Sequence, residues 1–197
     1  IASVPLPLTG TTAAILLPSG DQSGSCAVVD PEVIGGIAAS DGTHIITLRD
    51  TGLVSQVFDE QTLAAMHGHV AIGHCRYSTT GSTTWENAQP VFKTDGVHSV
   101  ALGHNGNLVN TTDLARMVGV SGSATTDSDL VTSLIAAEMP EIGGLEDAAM
   151  RVLPMLQGAY SFVFMDERSV YAARDPHGVR PLSIGRLPNG FVVASET

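Results

Sequence analysis

Apolar residues recur along this chain in two rhythms. Short runs dominated by β-branched and apolar side chains, each closed by turn-forming residues, predict strands over residues 13–17, 44–48, 69–74, 99–104, 160–165, 169–173 and 191–194. The other rhythm is helical: Leu130, Leu134 and Ile135 share one face, with Asp127 placed to cap the first turn and Met139-Pro140 to end the helix. Leu145, Ala149, Val152 and Leu153 form a second stripe within residues 145–156, and a third helix spans about 59–66 ahead of Gly68. Asp166-Glu167-Arg168 joins two strands at hairpin spacing, and Asp175-Pro176-His177-Gly178 follows the second, which predicts antiparallel neighbours. Helices set between groups of strands, with no internal repeat, predict an α+β domain of largely antiparallel sheet.

The chain has 197 residues, 43% of them apolar, enough for one sizeable core and one domain. Nine Lys and Arg against 20 Asp and Glu give a formal charge of −11, which repels nucleic acid and leaves a small molecule or a protein as partner. The uncharged opening carries Pro5, Pro7 and Pro18 with Gly10 and Gly20, so it is not a membrane anchor, and it lacks the form of a secretory signal. Ile1 in place of methionine suggests a processed or incomplete chain. Cys26 and Cys75 are too few for a disulfide scaffold or a cysteine metal site, and fit a reducing cytoplasm.

Three segments concentrate polar chemistry. In Gly73-His74-Cys75-Arg76-Tyr77-Ser78-Thr79-Thr80-Gly81-Ser82 a strand releases an arginine and several hydroxyls into a loop; this reads as a polar turn, or as a carboxylate site built on Arg76. Asn-Gly within His104-Asn105-Gly106-Asn107-Leu108 is first of all a tight-turn signal. Its chemical alternative aims the Asn105 amide and the Gly106 N–H at charge developing in acyl transfer. Thr125-Thr126-Asp127-Ser128-Asp129 suits a helix cap; a spare carboxylate there, with Arg76, would match the two charges of a free amino acid. The seven histidines offer no convincing metal set. His74 and His104 read as satisfied structural residues, and Cys75 as a packing cysteine.

Taken with Glu86-Asn87-Ala88-Gln89-Pro90, these motifs resemble class II glutamine amidotransferase domains in order and spacing. Gly52-Leu53-Val54-Ser55-Gln56-Val57-Phe58 and Arg174-Asp175-Pro176-His177-Gly178-Val179-Arg180-Pro181-Leu182 look specifically like the amidophosphoribosyltransferase family, over about 36–197. The resemblance implies the N-terminal-nucleophile hydrolase fold, a four-layer αββα sandwich. It implies that Arg76 holds the glutamine α-carboxylate, Asp127 the α-ammonium, and that Asn105 with Gly106 forms the oxyanion hole. It further implies that ammonia passes to a phosphoribosyltransferase domain, absent here, to form phosphoribosylamine for purine biosynthesis. The family's magnesium belongs to that domain, and no cofactor is evident in this chain. A homo-oligomer is compatible with the family.

The resemblance stops at both ends. The family opens with Cys-Gly-Val-Phe-Gly, a helix and a Gln-His-Arg-Gly-Gln run, whereas residues 1–35 form an atypical N-terminal segment. The nucleophile, the first core strand and one glutamine-binding arginine are therefore expected to be missing, and activity to be impaired. Cys26 is the substitute nucleophile only if cleavage after Ser25 exposes it. Residues 36–197 are expected to be the amidotransferase domain, shortened where Ser195-Glu196-Thr197 stops. The alternative function is a noncatalytic glutaminase-like domain that binds glutamine or serves as a scaffold.

Overall fold

The computed structural model describes residues 12–16, 34–52, 57–76, 87–117, 126–188 and 190–195. Cys26, residues 77–86, Thr125, Glu196 and Thr197 lie outside them, as does the side chain of Arg76. Ten strands are described: β1 (Thr12–Leu16), β2 (Ile34–Ser40), β3 (Ile45–Thr51), β4 (Val70–Arg76), β5 (Val91–Thr94), β6 (Ser99–Leu108), β7 (Gly158–Met165), β8 (Val170–Arg174), β9 (Ser183–Leu187) and β10 (Gly190–Ala194). The helices are α1 (Glu60–Ala65), α2 (Thr111–Met117), α3 (Asp127–Ile142) and α4 (Leu145–Val152), the last continued by a 3-10 turn, Leu153–Met155.

The strands form two sheets, a six-stranded one in the order β3-β2-β4-β1-β10-β9 and a four-stranded one in the order β5-β6-β7-β8. Alternation along the strands decides what each face meets. Ala101 of β6 and Val163 and Met165 of β7 meet Ala38, Val70, Ile72 and Val193 of the other sheet. The intervening Val100, Leu102, Phe162 and Phe164 turn outward under Leu130, Val131, Leu134 and Ile135 of α3 and Ala148, Ala149 and Val152 of α4. β6 and β7 are therefore buried on both faces, and each large side chain so enclosed contributes about 1.5–3 kcal/mol. This is the expected α+β sandwich, of whose four layers the described residues show three: the two sheets and a helical layer over the four-stranded one. α1 buries none of its residues.

Several elements differ from the sequence pattern. The four-stranded sheet is wholly antiparallel, but β1 lies between β4 and β10 and runs parallel to both. The N-terminal segment thus does supply a strand to the middle of a sheet. The hairpin through 166–168 forms as expected, with Met165 opposite Val170. The 175–178 turn, however, carries the chain out of the four-stranded sheet, since β9 pairs with β10 and not with β8. Asn105-Gly106 is no turn: β6 runs unbroken to Leu108 because β7 pairs with it over that whole length. α3 continues through Pro140 to Ile142 and ends on Gly143 in the left-handed conformation, whose N–H donates to the Met139 carbonyl at 2.8 Å. Proline there removes one donor within the last turn only. β2, rich in glycine and alanine, and the short β5, β9 and α2 carried too weak a periodicity to be read.

Candidate active site

β6 outruns its neighbour. β5 pairs with it only from Ser99 to Leu102, whereas β7 pairs from Ala101 to Leu108. Beyond Leu102 one edge of β6 therefore has no adjacent strand among the described residues, and its outward N–H and C=O groups need other partners.

Side chains take that place. The N–H of His104 donates to Oε1 of Gln89 at 2.6 Å, and the carbonyl of His104 accepts from Nε2 of His74 at 3.1 Å. A carbonyl only accepts, so that His74 nitrogen carries the proton. Further along, the N–H of Leu108 donates to Oδ2 of Asp127 at 3.2 Å.

Gly106 sits between these two ties. It faces Tyr160 of β7, but the backbone of Tyr160 is turned the other way: its carbonyl accepts from Asp175 N at 2.8 Å, and its N–H donates to Asp175 Oδ2 at 3.3 Å. Gly106 and Tyr160 are thus a non-hydrogen-bonded pair, and the Gly106 N–H points to the open edge, where no described residue accepts it. Only glycine fits here. A Cβ would lie 2.1 Å from the Ala159 carbonyl oxygen and 2.7 Å from the Tyr160 Cα, at a φ of 154°. Asn105 is buried and sits opposite Ser161, and by strand alternation both face the space between the sheets.

Asp127 is the first residue of α3 rather than its cap. Thr126 caps the helix, its hydroxyl accepting from Asp129 N at 3.1 Å. That frees the Asp127 carboxylate to bridge from helix to strand. Its Oδ1 accepts from Ser128 N at 2.8 Å and lies 3.5 Å from Nδ1 of His104, which is also 3.2 Å from the Ser128 hydroxyl. Burial pushes the Asp127 carboxyl up, but the His104 contact and the backbone N–H groups of Leu108 and Ser128 outweigh it and hold the pKa below the ordinary aspartate value. An ionised carboxylate beside the Gly106 edge suits a cation such as an ammonium group.

His104 is buried, its ring 4.6 Å from that of Phe162, and its Nε2 has no partner among the described residues. It is therefore only partly the satisfied structural histidine expected. Cys75 is half-buried rather than enclosed. Arg76 closes β4 opposite Ile34 in the ladder. Asn105, Gly106 and Asp127 are thus brought to one end of the four-stranded sheet; Cys26 lies outside the described residues. Sequence reasoning missed the ties through Gln89, His74 and Ser128. Gln89 was visible within the Asn-Ala-Gln-Pro run, but a buried glutamine gives no signal of what it will bond.

The glutamine amidotransferase domain model matches residues 74–197, a span that holds β6, Asp127 and the 174–182 motif. This chain belongs to the glutamine amidotransferase domain family. It is 60% identical over 171 residues to an amidophosphoribosyltransferase of Mycobacterium leprae, and 58% identical over 171 residues to that of Mycobacterium tuberculosis. These matches cover 82% of this chain but 31% and 32% of the relatives, so the chain spans about a third of their length. The solved glutamine phosphoribosylpyrophosphate amidotransferase of B. subtilis, complexed with ADP and GMP, superposes with a TM-score of 0.70 at 39% identity. It covers 82% of this chain and 35% of that one. Membership brings with it the N-terminal-nucleophile sandwich. Among the described residues of this glutamine amidotransferase domain, no group of three or more His, Cys, Asp or Glu is placed to hold a metal ion, and no helix is long and apolar enough to cross a membrane.

Proposed function

We propose that this domain binds free glutamine and hydrolyses its side-chain amide to glutamate and ammonia. The observation that carries the reading is the Gly106 N–H on the edge of β6 that no described strand covers, two positions from the Leu108 N–H that Asp127 holds.

In this reading Asp127 pairs with the α-ammonium and Arg76 with the α-carboxylate, which leaves the amide group near the Asn105–Gly106 strand. A cysteine thiolate attacks the amide carbon. The resulting oxyanion is received by the Gly106 N–H and the Asn105 side-chain amide, held in place before charge develops. The C–N bond breaks, the leaving nitrogen takes a proton, and ammonia departs. Water then cleaves the thioester to glutamate and regenerates the thiol. Cys26, exposed by cleavage after Ser25, is the thiol candidate within this sequence, and a reducing cytoplasm would keep it active. Residues 1–35 are then an atypical leading segment whose β1 is built into the same six-stranded sheet as the amidotransferase domain over 36–197.

By likeness to the mycobacterial relatives, the parent protein is an amidophosphoribosyltransferase, in which a phosphoribosyltransferase domain takes the ammonia to make phosphoribosylamine for purine biosynthesis. Such a domain would carry the magnesium site and offers a surface for a homo-oligomer.

Glutamate release by purified protein, together with calorimetry of glutamine binding, tests the reading. Release and binding that both fall in Arg76→Ala and Asp127→Ala support it. Binding without release points to a glutamine-binding module instead, and no binding leaves a scaffold.

A further inference from the structure

Gln89 is a buried polar residue for which the proposed reaction has no use, yet its bond to β6 is short. Its Oε1 meets the His104 N–H at 2.6 Å, at the position where a neighbouring strand would have placed a carbonyl. The loop that carries it is fixed to the other sheet. Gly36 of β2 lies so close beneath the loop that a Cβ there would sit 2.1 Å from the Gln89 carbonyl oxygen, and Nη1 of Arg49 in β3 donates to the Ala88 carbonyl at 3.0 Å.

We infer that Gln89 is a positioning residue for the oxyanion donor: its side chain stands in for the missing strand and fixes the edge of β6 from which the Gly106 N–H projects. This rests on the reading above, in which that N–H meets the oxyanion.

The physical reason lies in the spacing of the ties. Along the uncovered edge the outward N–H groups belong to His104, Gly106 and Leu108. Each is about 7 Å from the next at strand rise. Gln89 holds the first and Asp127 the last. An oxyanion donor acts by being already aimed when charge develops, so a strand edge free to twist loses transition-state stabilisation before it loses substrate affinity. Because the Gln89 loop is anchored on β2 and β3, it also sets β6 relative to the six-stranded sheet, whose β4 carries Arg76.

The test compares Gln89→Leu, which removes the acceptor, with Gln89→Glu, which keeps an oxygen in its place. For glutamate release, Gln89→Leu is expected to lower kcat on the order of tenfold or more while KM for glutamine stays within about threefold, and Gln89→Glu to recover most of the rate. Amide spectra of ¹⁵N-labelled protein give a readout independent of turnover. In the wild type the His104 amide is expected to exchange slowly and glutamine to shift the Gly106 resonance. In Gln89→Leu the His104 amide exchanges fast and the Gly106 shift is lost, although calorimetry still registers glutamine. The inference is overturned if Gln89→Leu keeps its kcat, if KM rises as much as kcat falls, or if the His104 amide stays protected. A wild-type protein that binds glutamine without releasing glutamate refutes the hydrolytic reading alone; the His104 and Gly106 amides then still decide the role of Gln89.

Discussion

The carboxylate of Asp127, at the start of α3, accepts the backbone N–H of Leu108 at the end of β6 at 3.2 Å. One side chain thus ties the helical layer to the strand that carries Asn105 and Gly106, and it keeps its negative charge while doing so. Its structural tie and the ammonium recognition proposed for it fall on the same group, and they can be separated.

Asp127→Asn retains an oxygen for the Leu108 N–H but removes the charge. Glutamine affinity measured by calorimetry is expected to fall about 10- to 100-fold, with a lower melting temperature because the amide can accept only one of the Leu108 and Ser128 N–H groups. Asp127→Ala loses both, adding a stability loss of about 1–2 kcal/mol in urea unfolding. Equal affinity in wild type and Asp127→Asn would rule out ammonium recognition by this residue.

Gly106→Ala places a methyl group against the backbone of Ala159 and Tyr160, neither of which can move without opening β7. A destabilisation of about 3 kcal/mol is expected from denaturant curves, with glutamate release lost at temperatures where the protein remains folded. A fully stable, active variant would mean that β6 and β7 do not approach in this way.

Asp175 is buried, and its carboxylate accepts the backbone N–H groups of Tyr160, His177, Val179 and Arg180. Burial raises its pKa, but these hydrogen bonds outweigh that and hold it below the ordinary value, as for Asp127. A depressed folded pKa contributes stability that is complete above the unfolded value of 3.8 and is lost as pH falls through the folded one. Unfolding free energy should therefore be level in this respect at neutral pH and drop below about pH 4. Asp175→Asn should flatten that acid limb, and Asp175→Ala should cost about 2–4 kcal/mol at pH 7. An acid limb unchanged in Asp175→Asn would contradict the assignment.

Phe162 is fully buried, stacked against Tyr160 at 4.7 Å and close to the His104 ring. Phe162→Ala should destabilise the protein by about 3–5 kcal/mol. It should also loosen the His104 ring, seen as broadening of its resonances; a sharp, unmoved His104 signal would show that other contacts hold the ring.

Much of this was legible in the chain. The apolar run in 160–165 and the hairpin at 166–168 reflect local chemistry, and they became β7 and the turn into β8. The stripe of Leu130, Leu134 and Ile135 likewise became the buried face of α3. The resemblance pointed to Asn105, Gly106 and Asp127, whose residue types suit the donors for an oxyanion and the carboxylate for an ammonium that acyl transfer from an amino acid needs. Three things were decided only by the tertiary fold. Asn105-Gly106 lies in a strand because β7 offers a partner along its length, a contact between residues far apart in sequence that overrides a local turn preference. Asp127 is released from capping because Thr126 takes that role and Leu108 arrives beside it. The bond between Gln89 and His104 exists because β5 stops short, leaving an N–H that the Gln89 side chain satisfies. The sequence by itself determined the strongly patterned elements, such as β7 and the buried face of α3, and which polar groups were available for chemistry. Which backbone donors were left open to use it depended on where one strand outran another, and no local pattern encodes that.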